Sequence, residues 1–235
     1  DRPVLIVCPT SLIPNWMDEA EKFAPSLNML SLHGKQRALR FGDVEKADVV
    51  LTTYALMPRD AETLLPMEWH LVVLDEAQAI KNPTSKVTQI VCEIKTRHRL
   101  CLTGTPIENH LGEAWSHFAF LMPGMLGTHK DFNKRFRTPI EKLKDAERQS
   151  LLARRLKPFI LRRNKTDVAK ELPPKTEITH YVEFEQAQRD LYETVRLTMH
   201  EKVQEAVSEK GFNRSRIVIL DALLKLRQVC CDPRL

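Results

Sequence analysis

The feature that most constrains the fold is a series of short apolar runs, each followed by small or acidic polar residues. The runs lie at residues 4–7, within residues 28–33, and at residues 49–51, 71–74 and 100–102. Apolar residues at consecutive rather than alternate positions are typical of strands that are buried on both faces, as in a parallel sheet. The runs therefore predict the strands of one such sheet.

Helical patterns separate these runs. Apolar residues recur at helical spacing in residues 15–24, 87–94 and 111–122, and Asn82-Pro83 is a start signal before the second stretch. Strands that alternate with helices predict an α/β fold, an open parallel sheet flanked by helices with right-handed crossovers. Such sheets bind ligands at the carboxyl ends of their strands.

The second half of the chain has a different pattern. Residues 141–157 predict a helix that ends at Pro158, and residues 175–184 alternate in the manner of a half-buried strand. Apolar residues at every fourth position in 191–207 predict a long helix that ends at Gly211. A last helix runs from about residue 217 and is broken at Asp232-Pro233.

The strand at residues 71–74 ends in two adjacent carboxylates. Asp75 and Glu76 directly follow Leu71-Val72-Val73-Leu74, which is the Walker B arrangement. The Asp can hold Mg²⁺, usually through water, and the Glu can orient and polarise an attacking water. A strand that simply leaves the core into solvent gives the same pattern, so this observation alone decides nothing.

Hydroxyl side chains follow three other strands at the same edge of the predicted sheet. The clusters comprise Pro9, Thr10 and Ser11, then Thr52, Thr53 and Tyr54, then Thr103, Gly104 and Thr105. Hydroxyls and backbone amides at such positions suit contacts to phosphates rather than to bases. A single cluster would be read as turn or cap residues, but their recurrence at successive strand ends favours a phosphate-binding edge.

Charge is unevenly distributed along the chain. Residues 130–175, the basic block, hold 15 Lys or Arg and 6 Asp or Glu, a net +9, and the remaining residues carry −4. A basic block beside a mildly acidic body is the electrostatic pattern of a protein that binds a polyanion. A solvated helical surface explains the charges of the block equally well.

Other classes of protein fit the sequence less well. The five cysteines form no Cys-x-x-Cys pair and the eight histidines have no ligand spacing, which argues against a zinc ribbon or a disulfide scaffold and suits a reducing cytosol. No apolar run approaches the roughly 18 residues needed to span a bilayer. Because the chain starts at Asp1 without a signal peptide, we expect it to be a segment of a longer cytoplasmic protein.

The motifs together resemble the first lobe of the Swi/Snf family of helicase-like ATPases, in superfamily two, in its bacterial form. The matching stretches cover nearly the whole chain in the family's order: Pro9-Thr10-Ser11-Leu12 with Asn15-Trp16 (motif Ia), Thr52-Thr53-Tyr54 (motif Ib), residues 75–83 (the acidic box, with Gln78 as its fourth residue), residues 102–109 (Leu-Thr-Gly-Thr-Pro), residues 158–163 and 171–175 (the link between lobes), and residues 226–230 with Pro233.

The resemblance implies a RecA-like, P-loop NTPase fold and assigns roles to single residues. Asp75, Glu76 and Gln78 would contact ATP, with Mg²⁺ on Asp75 and Glu76 as the base. The three hydroxyl clusters would bind DNA phosphates, and Thr103, Gly104 and Thr105 would also couple nucleotide state to DNA. Arg162 and Arg163 would contact DNA or orient the lobes, although they could also be an ordinary surface pair.

Two parts of the family's machinery are absent from the sequence. No Gly-x-x-x-x-Gly-Lys-[Ser/Thr] motif occurs in the 235 residues, so the resemblance would put the P-loop before Asp1 and the arginine-bearing second lobe after Leu235. We therefore expect residues 1–126 to form an incomplete first lobe, residues 127–174 a basic helical insertion and linker, and residues 175–235 a strand and helical protrusion that lead to the second lobe.

The expected function is that of a DNA-dependent ATPase that moves along double-stranded DNA and, in some cases, displaces a DNA-bound protein. The 235 residues alone are predicted to be inactive, and the intact protein is predicted to act in the cytoplasm, at the bacterial nucleoid. Two alternatives stay open: a strand-separating helicase of a restriction or repair system, and a catalytically silent DNA-binding scaffold. A P-loop in the sequence before Asp1 would indicate one of the two ATPases, the translocase or the helicase, and its absence would indicate the scaffold.

Overall fold

A computed structural model of the protein describes residues 2–105, 110–164, 168, 173, 176–212, 214–232 and 234. The chain divides into two units, Asp1–Arg162 and Arg163–Leu235. The three segments predicted from the sequence are a finer division, and their boundaries stay a prediction.

A five-stranded sheet lies at the centre of the first unit. Its strands are β1 (Val4–Cys8), β2 (Met29–Ser31), β3 (Val49–Thr53), β4 (Glu68–Asp75) and β5 (Lys95–Leu102). All neighbouring pairs are parallel, in the order β2-β3-β1-β4-β5. The parallel α/β sheet predicted from the apolar runs is confirmed, and each run corresponds to one strand.

Helices connect the strands and cover both faces of the sheet. They are α1 (Ile13–Phe23), α2 (Ala61–Leu64), α3 (Lys86–Glu93) and α4 (Leu111–Leu121), with 3₁₀ turns at Thr10–Leu12, Arg37–Lys46 and Ala77–Ile80. Helix α3 begins after Ser85, whose hydroxyl accepts a hydrogen bond from the Thr88 amide at 3.2 Å. Such a cap satisfies one of the amides that a helix leaves without an intrahelical partner.

Burial on both faces explains why the strand sequences are continuously apolar. Leu5, Val7, Val72 and Leu74 point into one core, which also holds Trp69 and Phe120. The alternate strand residues Ile6, Cys8, Leu51 and Val73 pack on the other face, against Ile13 and Trp16 of α1. The central residues of β1, β3 and the second half of β4 are therefore buried on both faces, whereas the edge strand β5 is largely exposed.

A helical segment follows α4 in the first unit. Its elements are α5 (His129–Phe132), a π-helical turn (Asn133–Arg137), α6 (Thr138–Leu143), α7 (Ala146–Leu156) and a 3₁₀ turn (Lys157–Phe159). The single helix predicted for residues 141–157 is wrong in one respect, because it is divided at Lys144. Lys144 takes the left-handed conformation (φ 56°), and Asp145 caps α7 by accepting the Arg148 amide at 3.0 Å.

The second unit is built on two helices, α8 (Gln186–Lys210) and α9 (Arg216–Cys231). The Gln188 side chain donates to the Val229 carbonyl at 2.7 Å, and the Ser215 hydroxyl donates to the Ala206 carbonyl at 2.6 Å. These bonds join the start of α8 to the end of α9 and the end of α8 to the start of α9, as in an antiparallel hairpin. Both predicted helices, including the stop at Gly211, are confirmed.

The strand predicted for residues 175–184 is wrong. Lys175 lies outside the described residues, and residues 176–185 form neither helix nor strand. Ile178 and Val182, which were expected on a buried face, are 71% and 83% exposed. A strand needs a neighbour to pair with its backbone groups, and the structure shows none beside this segment in the described part of the chain.

No helix among the described residues combines the length and the apolar character needed to cross a membrane.

Candidate active site

The acidic pair lies at the carboxyl edge of the sheet, where four strand ends meet. Asp75 is the last residue of β4 and is in register with Leu102 of β5. On the other side of β4, Val7 of β1 pairs with Leu74, which places Cys8 and the Pro9–Ser11 cluster next to the carboxylates. The topology therefore brings the predicted phosphate edge and the predicted acidic site together.

Three groups from different elements fix Asp75. Its Oδ2 accepts a hydrogen bond from Trp16 Nε1 at 2.9 Å, and its Oδ1 accepts the backbone amide of Glu76 at 2.9 Å. The hydroxyl of Tyr54, just after β3, donates to the Asp75 carbonyl at 2.7 Å. The carboxylate is thus positioned before any ligand binds.

Trp16 is a site residue that the sequence analysis did not identify. It was noted only beside motif Ia, and its contact with Asp75 spans 59 residues of sequence. The available signal was its position in the first turns of the helix that follows a strand of the same sheet. An indole N–H that is partly buried needs an acceptor, and the end of β4 supplies one.

Glu76 adopts a backbone conformation that is uncommon for a residue with a side chain. Its φ of 51° and ψ of 53° lie in the left-handed region, which costs a non-glycine residue about 1 kcal/mol or more. The amide of Glu76 bonds to Asp75 and one carboxylate oxygen accepts from Gln78 Nε2 at 2.6 Å. These contacts hold the strained residue in place.

Gln78 connects the acidic box to the polar end of β5. While its amide nitrogen donates to Glu76, its Oε1 accepts a hydrogen bond from the Thr103 hydroxyl at 3.0 Å. The same hydroxyl accepts the Thr105 amide at 3.1 Å. A continuous chain of hydrogen bonds therefore runs from Glu76 through Gln78 and Thr103 to Thr105. Residues 106–109, which complete this motif, lie outside the described residues.

The predicted DNA-contacting residues differ in exposure. Thr10, Ser11, Gly104 and Thr105 are exposed, and Pro9 and Thr103 are half-buried. Thr52 and Thr53 are 0% and 2% exposed. The Thr52 and Thr53 side chains thus present no surface to a phosphate in this structure, and the Tyr54 hydroxyl is already bonded to Asp75. All of these DNA contacts stay predictions.

Arg162 and Arg163 are exposed and lie where the two units meet in sequence. Among the ion pairs of the described residues, none involves either of them, and none involves Arg154 or Arg155. The Arg155 guanidinium lies 5.8 Å from the centre of the Phe136 ring. Glu141, an acidic residue of the same basic block, pairs with Arg137 at 3.2 Å.

Burial raises the pKa of the ionisable thiols and the phenol around the carboxylates further above neutral. Burial, helped by the charge of Asp75, raises the pKa of the Cys8 thiol to about 11. Burial likewise raises the pKa of the Cys101 thiol to about 12 and raises the pKa of the Tyr54 hydroxyl. At neutral pH these groups carry no charge, so Asp75 and Glu76 dominate the electrostatics of the edge.

The donor set fits a magnesium–nucleotide complex better than a metal held by protein alone. No cluster of three or more His, Cys, Asp or Glu residues that could hold a metal ion exists in the part of the chain that the structure describes. Each Asp75 oxygen accepts one hydrogen bond and has two lone pairs, so each keeps a free acceptor direction. Mg²⁺ is commonly held by one or two carboxylates, waters and substrate phosphates, and Asp75 can supply that carboxylate.

Comparison with known proteins gives one consistent family. The family model described as SNF2-related domain matches residues 1–235. YwqA of Bacillus subtilis (strain 168), whose name describes an ATP-dependent helicase/translocase, is 39% identical over 99% of this chain and 25% of its own length. The TATA-binding protein-associated factor mot1 of Schizosaccharomyces pombe is 36% identical over 99% of this chain and 13% of its own length.

Solved structures agree with these relatives. The Sulfolobus solfataricus SWI2/SNF2 ATPase core in complex with double-stranded DNA is 38% identical, with a TM-score of 0.66 over 97% of this chain and 47% of that chain. The SWI2/SNF2 ATPase core domain of the same organism has a TM-score of 0.64 at the same identity, over 97% of this chain and 46% of that chain. The chain therefore spans less than half of each of these known proteins.

Proposed function

The chain belongs to the SNF2-related domain family, and from that premise we propose that it is part of a DNA-dependent ATPase that moves along double-stranded DNA. In this proposal the sheet edge at Asp75 and Glu76 is the hydrolysis site. The polar ends of β1 and β5, together with the basic block, contact the DNA backbone. The observation that carries the proposal is the hydrogen-bond chain from Glu76 to Thr105. This chain joins the proposed hydrolysis site to the end of β5, where the DNA contact is proposed.

Asp75 and Glu76 have different tasks in this proposal. Asp75 would hold Mg²⁺, which with ATP bound neutralises phosphate charge during transfer. Glu76 would orient the attacking water and accept its proton. Gln78 donates to Oε2 of Glu76, which leaves one acceptor direction on Oε2 and both on Oε1 for that proton.

Gln78 gives the site a fixed hydrogen-bonding link rather than a titrating one. A glutamine amide donates and accepts at the same time and does not change charge near neutral pH. Gln78 uses its nitrogen on Glu76 and its oxygen on Thr103. A displacement of the β5 end by DNA would therefore pull on the catalytic carboxylate directly, which supports coupling between DNA contact and hydrolysis.

The remaining parts of the nucleotide site would come from the rest of the protein. The 235 residues contain no P-loop motif, and they span 25% of the Bacillus relative. Phosphoryl transfer in P-loop enzymes needs backbone amides and a lysine on the phosphates, and commonly an arginine. We therefore propose that these 235 residues alone hydrolyse no ATP and that the full-length protein does.

The contacts to DNA are proposed to be with phosphates. Thr10, Ser11, Gly104 and Thr105 are exposed at the carboxyl edge, and hydroxyls and amides there favour phosphate oxygens. Arg162 and Arg163 would add charge. With DNA as its partner, the protein would act in the cytoplasm at the nucleoid, and a DNA-bound protein could be its displaced target.

ATP turnover by the purified full-length protein tests the proposal. The proposal expects hydrolysis that rises several-fold on addition of random-sequence double-stranded DNA, with displacement of a triplex-forming third strand and no separation of the duplex. Separation of the duplex would favour the strand-separating helicase. Absence of hydrolysis with DNA and Mg²⁺ present would refute the proposal and favour the scaffold.

A further inference from the structure

Two side chains of helix α4 contact the two ends of the 3₁₀ turn Ala77–Ile80, which follows Glu76. The Ser116 hydroxyl donates to the Lys81 carbonyl at 3.1 Å, and His117 Nε2 lies 3.0 Å from the Ala77 carbonyl oxygen. Ala77 and Lys81 bracket the turn that follows Glu76. Two consecutive side chains of one helix thus bind the first and last carbonyls of that turn.

The contact with Ala77 is shielded from water. His117 is 5% exposed, Ser116 is 0% exposed and Ala77 is 0% exposed. A carbonyl can only accept here, so the ring must carry its proton on Nε2. If that donor were removed, the Ala77 carbonyl would be left without this partner in a site that water does not reach, which makes the bond costly to lose.

The position of this bond gives it a bearing on Glu76. Ala77 directly follows Glu76. The left-handed backbone conformation of Glu76 is sterically unfavourable, so its neighbours must hold it. Within the turn, the Ala79 amide bonds to the Glu76 carbonyl at 3.0 Å and the Lys81 amide to the Gln78 carbonyl at 3.1 Å. These bonds close the turn but do not orient it on the sheet. The bond from His117 does, because α4 is packed into the main core through Phe120.

We propose that His117 is a positioning residue for Glu76: by binding the Ala77 carbonyl it fixes the turn that sets the direction of the Glu76 carboxylate. The inference rests on the proposed function only in that Glu76 is taken as the base. His117 contacts neither nucleotide nor water in this role. Misplacement of a catalytic group by about 1 Å can cost on the order of 100-fold in rate, so loss of the bond should lower kcat and leave ATP binding nearly unchanged.

Three substitutions in the full-length protein test the role of the N–H donor. His117→Leu fills the space without a donor, whereas the amide nitrogen of His117→Gln can take the place of Nε2. Phe118→Leu is the control on the same helix, because Phe118 packs into a separate cluster with Phe132 and Phe136. We expect His117→Leu to lower DNA-stimulated kcat by about tenfold to 100-fold with KM for ATP within about twofold, and His117→Gln to restore most of it.

Two results of this assay would overturn the proposal. One is a kcat of His117→Leu equal to that of Phe118→Leu at the same loss of melting temperature. The other is a His117→Gln protein as slow as His117→Leu. If His117→Leu does not fold, His117→Asn replaces it, because the shorter amide does not reach Ala77, and the same comparison with His117→Gln applies.

Hydrogen exchange gives a second readout that does not depend on turnover. In the full-length protein, the peptide that carries the Ala79 and Lys81 amides should exchange faster in His117→Leu and at the normal rate in His117→Gln and Phe118→Leu. Unchanged exchange in His117→Leu would overturn the proposal. If the unmodified protein shows no ATP turnover, the proposed function fails, and this exchange comparison still decides whether His117 positions the turn.

Discussion

Glu76 combines backbone strain with hydrogen bonds at its amide, its carbonyl and one carboxylate oxygen, and this combination is characteristic of functional residues. A left-handed glutamate is sparsely populated and persists only where its surroundings over-determine it. Here the surroundings are the Asp75 carboxylate, the Gln78 amide and the buried turn that follows. A strand that merely left the core would need none of them, which favours the Walker B interpretation over the alternative of a solvent-exposed strand end.

A double-mutant cycle tests the link between the box and the end of β5. Gln78→Met keeps the length of the side chain without its amide, and Thr103→Val keeps the shape without the hydroxyl. Each change should lower the DNA-stimulated rate of the full-length protein. Both remove the Gln78–Thr103 bond, but Gln78→Met also removes the bond to Glu76 and Thr103→Val the bond to the Thr105 amide. The double variant should therefore be slower than either single variant, but by less than the product of the two effects, with a coupling of about 0.5–1.5 kcal/mol.

If the fold loss of rate in the double variant equalled the product of the two single losses, the Gln78–Thr103 bond would not couple the acidic box to the end of β5. Thr88→Val is a suitable control partner for Gln78→Met. Thr88 is buried and donates to the Ile80 carbonyl at 3.2 Å, so it supports the same turn without contacting Gln78. Its effect should be additive.

At this scale the sequence predicts residue types better than contacts. Asp75, Glu76 and the Thr103 cluster could be found because a strand end and a motif mark them. The bonds of Trp16 and His117 could not, since each joins residues 40 or more positions apart and depends on the helix packing. The burial of Thr52 and Thr53 was also missed, because a hydroxyl at a strand end gives no sign of which neighbour covers it.

At the scale of elements, predictions succeed where burial makes the pattern unambiguous. Strands β1, β3 and the second half of β4 are recognisable because both faces are covered, so that their central positions are apolar. Residues 175–184 have an equally regular alternation, yet a period of two indicates a strand only when a partner strand is available. The division at Lys144 was hidden for a related reason, because lysine is a good helix former and rarely ends a helix in the left-handed conformation.

The segment after the linker should exchange its amides rapidly. In the described backbone hydrogen bonds, no amide of residues 178–185 is a donor, and Tyr181 is 93% exposed. We expect near-random-coil exchange for residues 178–185 in a dilute sample of the 235-residue chain. The middle of α8 should be slower by orders of magnitude, because its amides are bonded within the helix. Exchange at 178–185 as slow as in α8 would reveal a strand partner and restore the original prediction.

At the scale of the whole molecule, we expect the basic block to be the main source of long-range attraction to DNA. It carries +9 while the remaining residues carry −4, and Arg154, Arg162 and Arg163 are exposed without an ion pair among the described residues. Binding through phosphates releases counterions, so log K should fall with log salt by about 0.9 per phosphate neutralised.

The salt dependence of binding to a random-sequence duplex measures this contribution. Changing Arg154, Arg155, Arg162 and Arg163 together to Ala should flatten the slope by roughly 2 to 4, measured by fluorescence anisotropy. A control with four basic residues of the second unit changed, Arg189, Lys202, Arg214 and Arg216, should leave the slope near its original value. An unchanged slope in the first variant would leave the sheet-edge hydroxyls as the DNA contacts.

The central claim, that the carboxyl edge of the sheet hydrolyses ATP, is tested most directly by Glu76→Gln in the full-length protein. ATP turnover with saturating DNA and the binding of a fluorescent ATP analogue are measured on the same samples, with Glu62→Gln as a control for the loss of an exposed carboxylate on α2. The amide keeps the shape but accepts no proton, so turnover should fall by at least about 100-fold while nucleotide binding stays within a few-fold. Asp75→Asn should instead weaken Mg²⁺-dependent binding. Near-normal turnover by Glu76→Gln would contradict the account, because the base would then lie elsewhere.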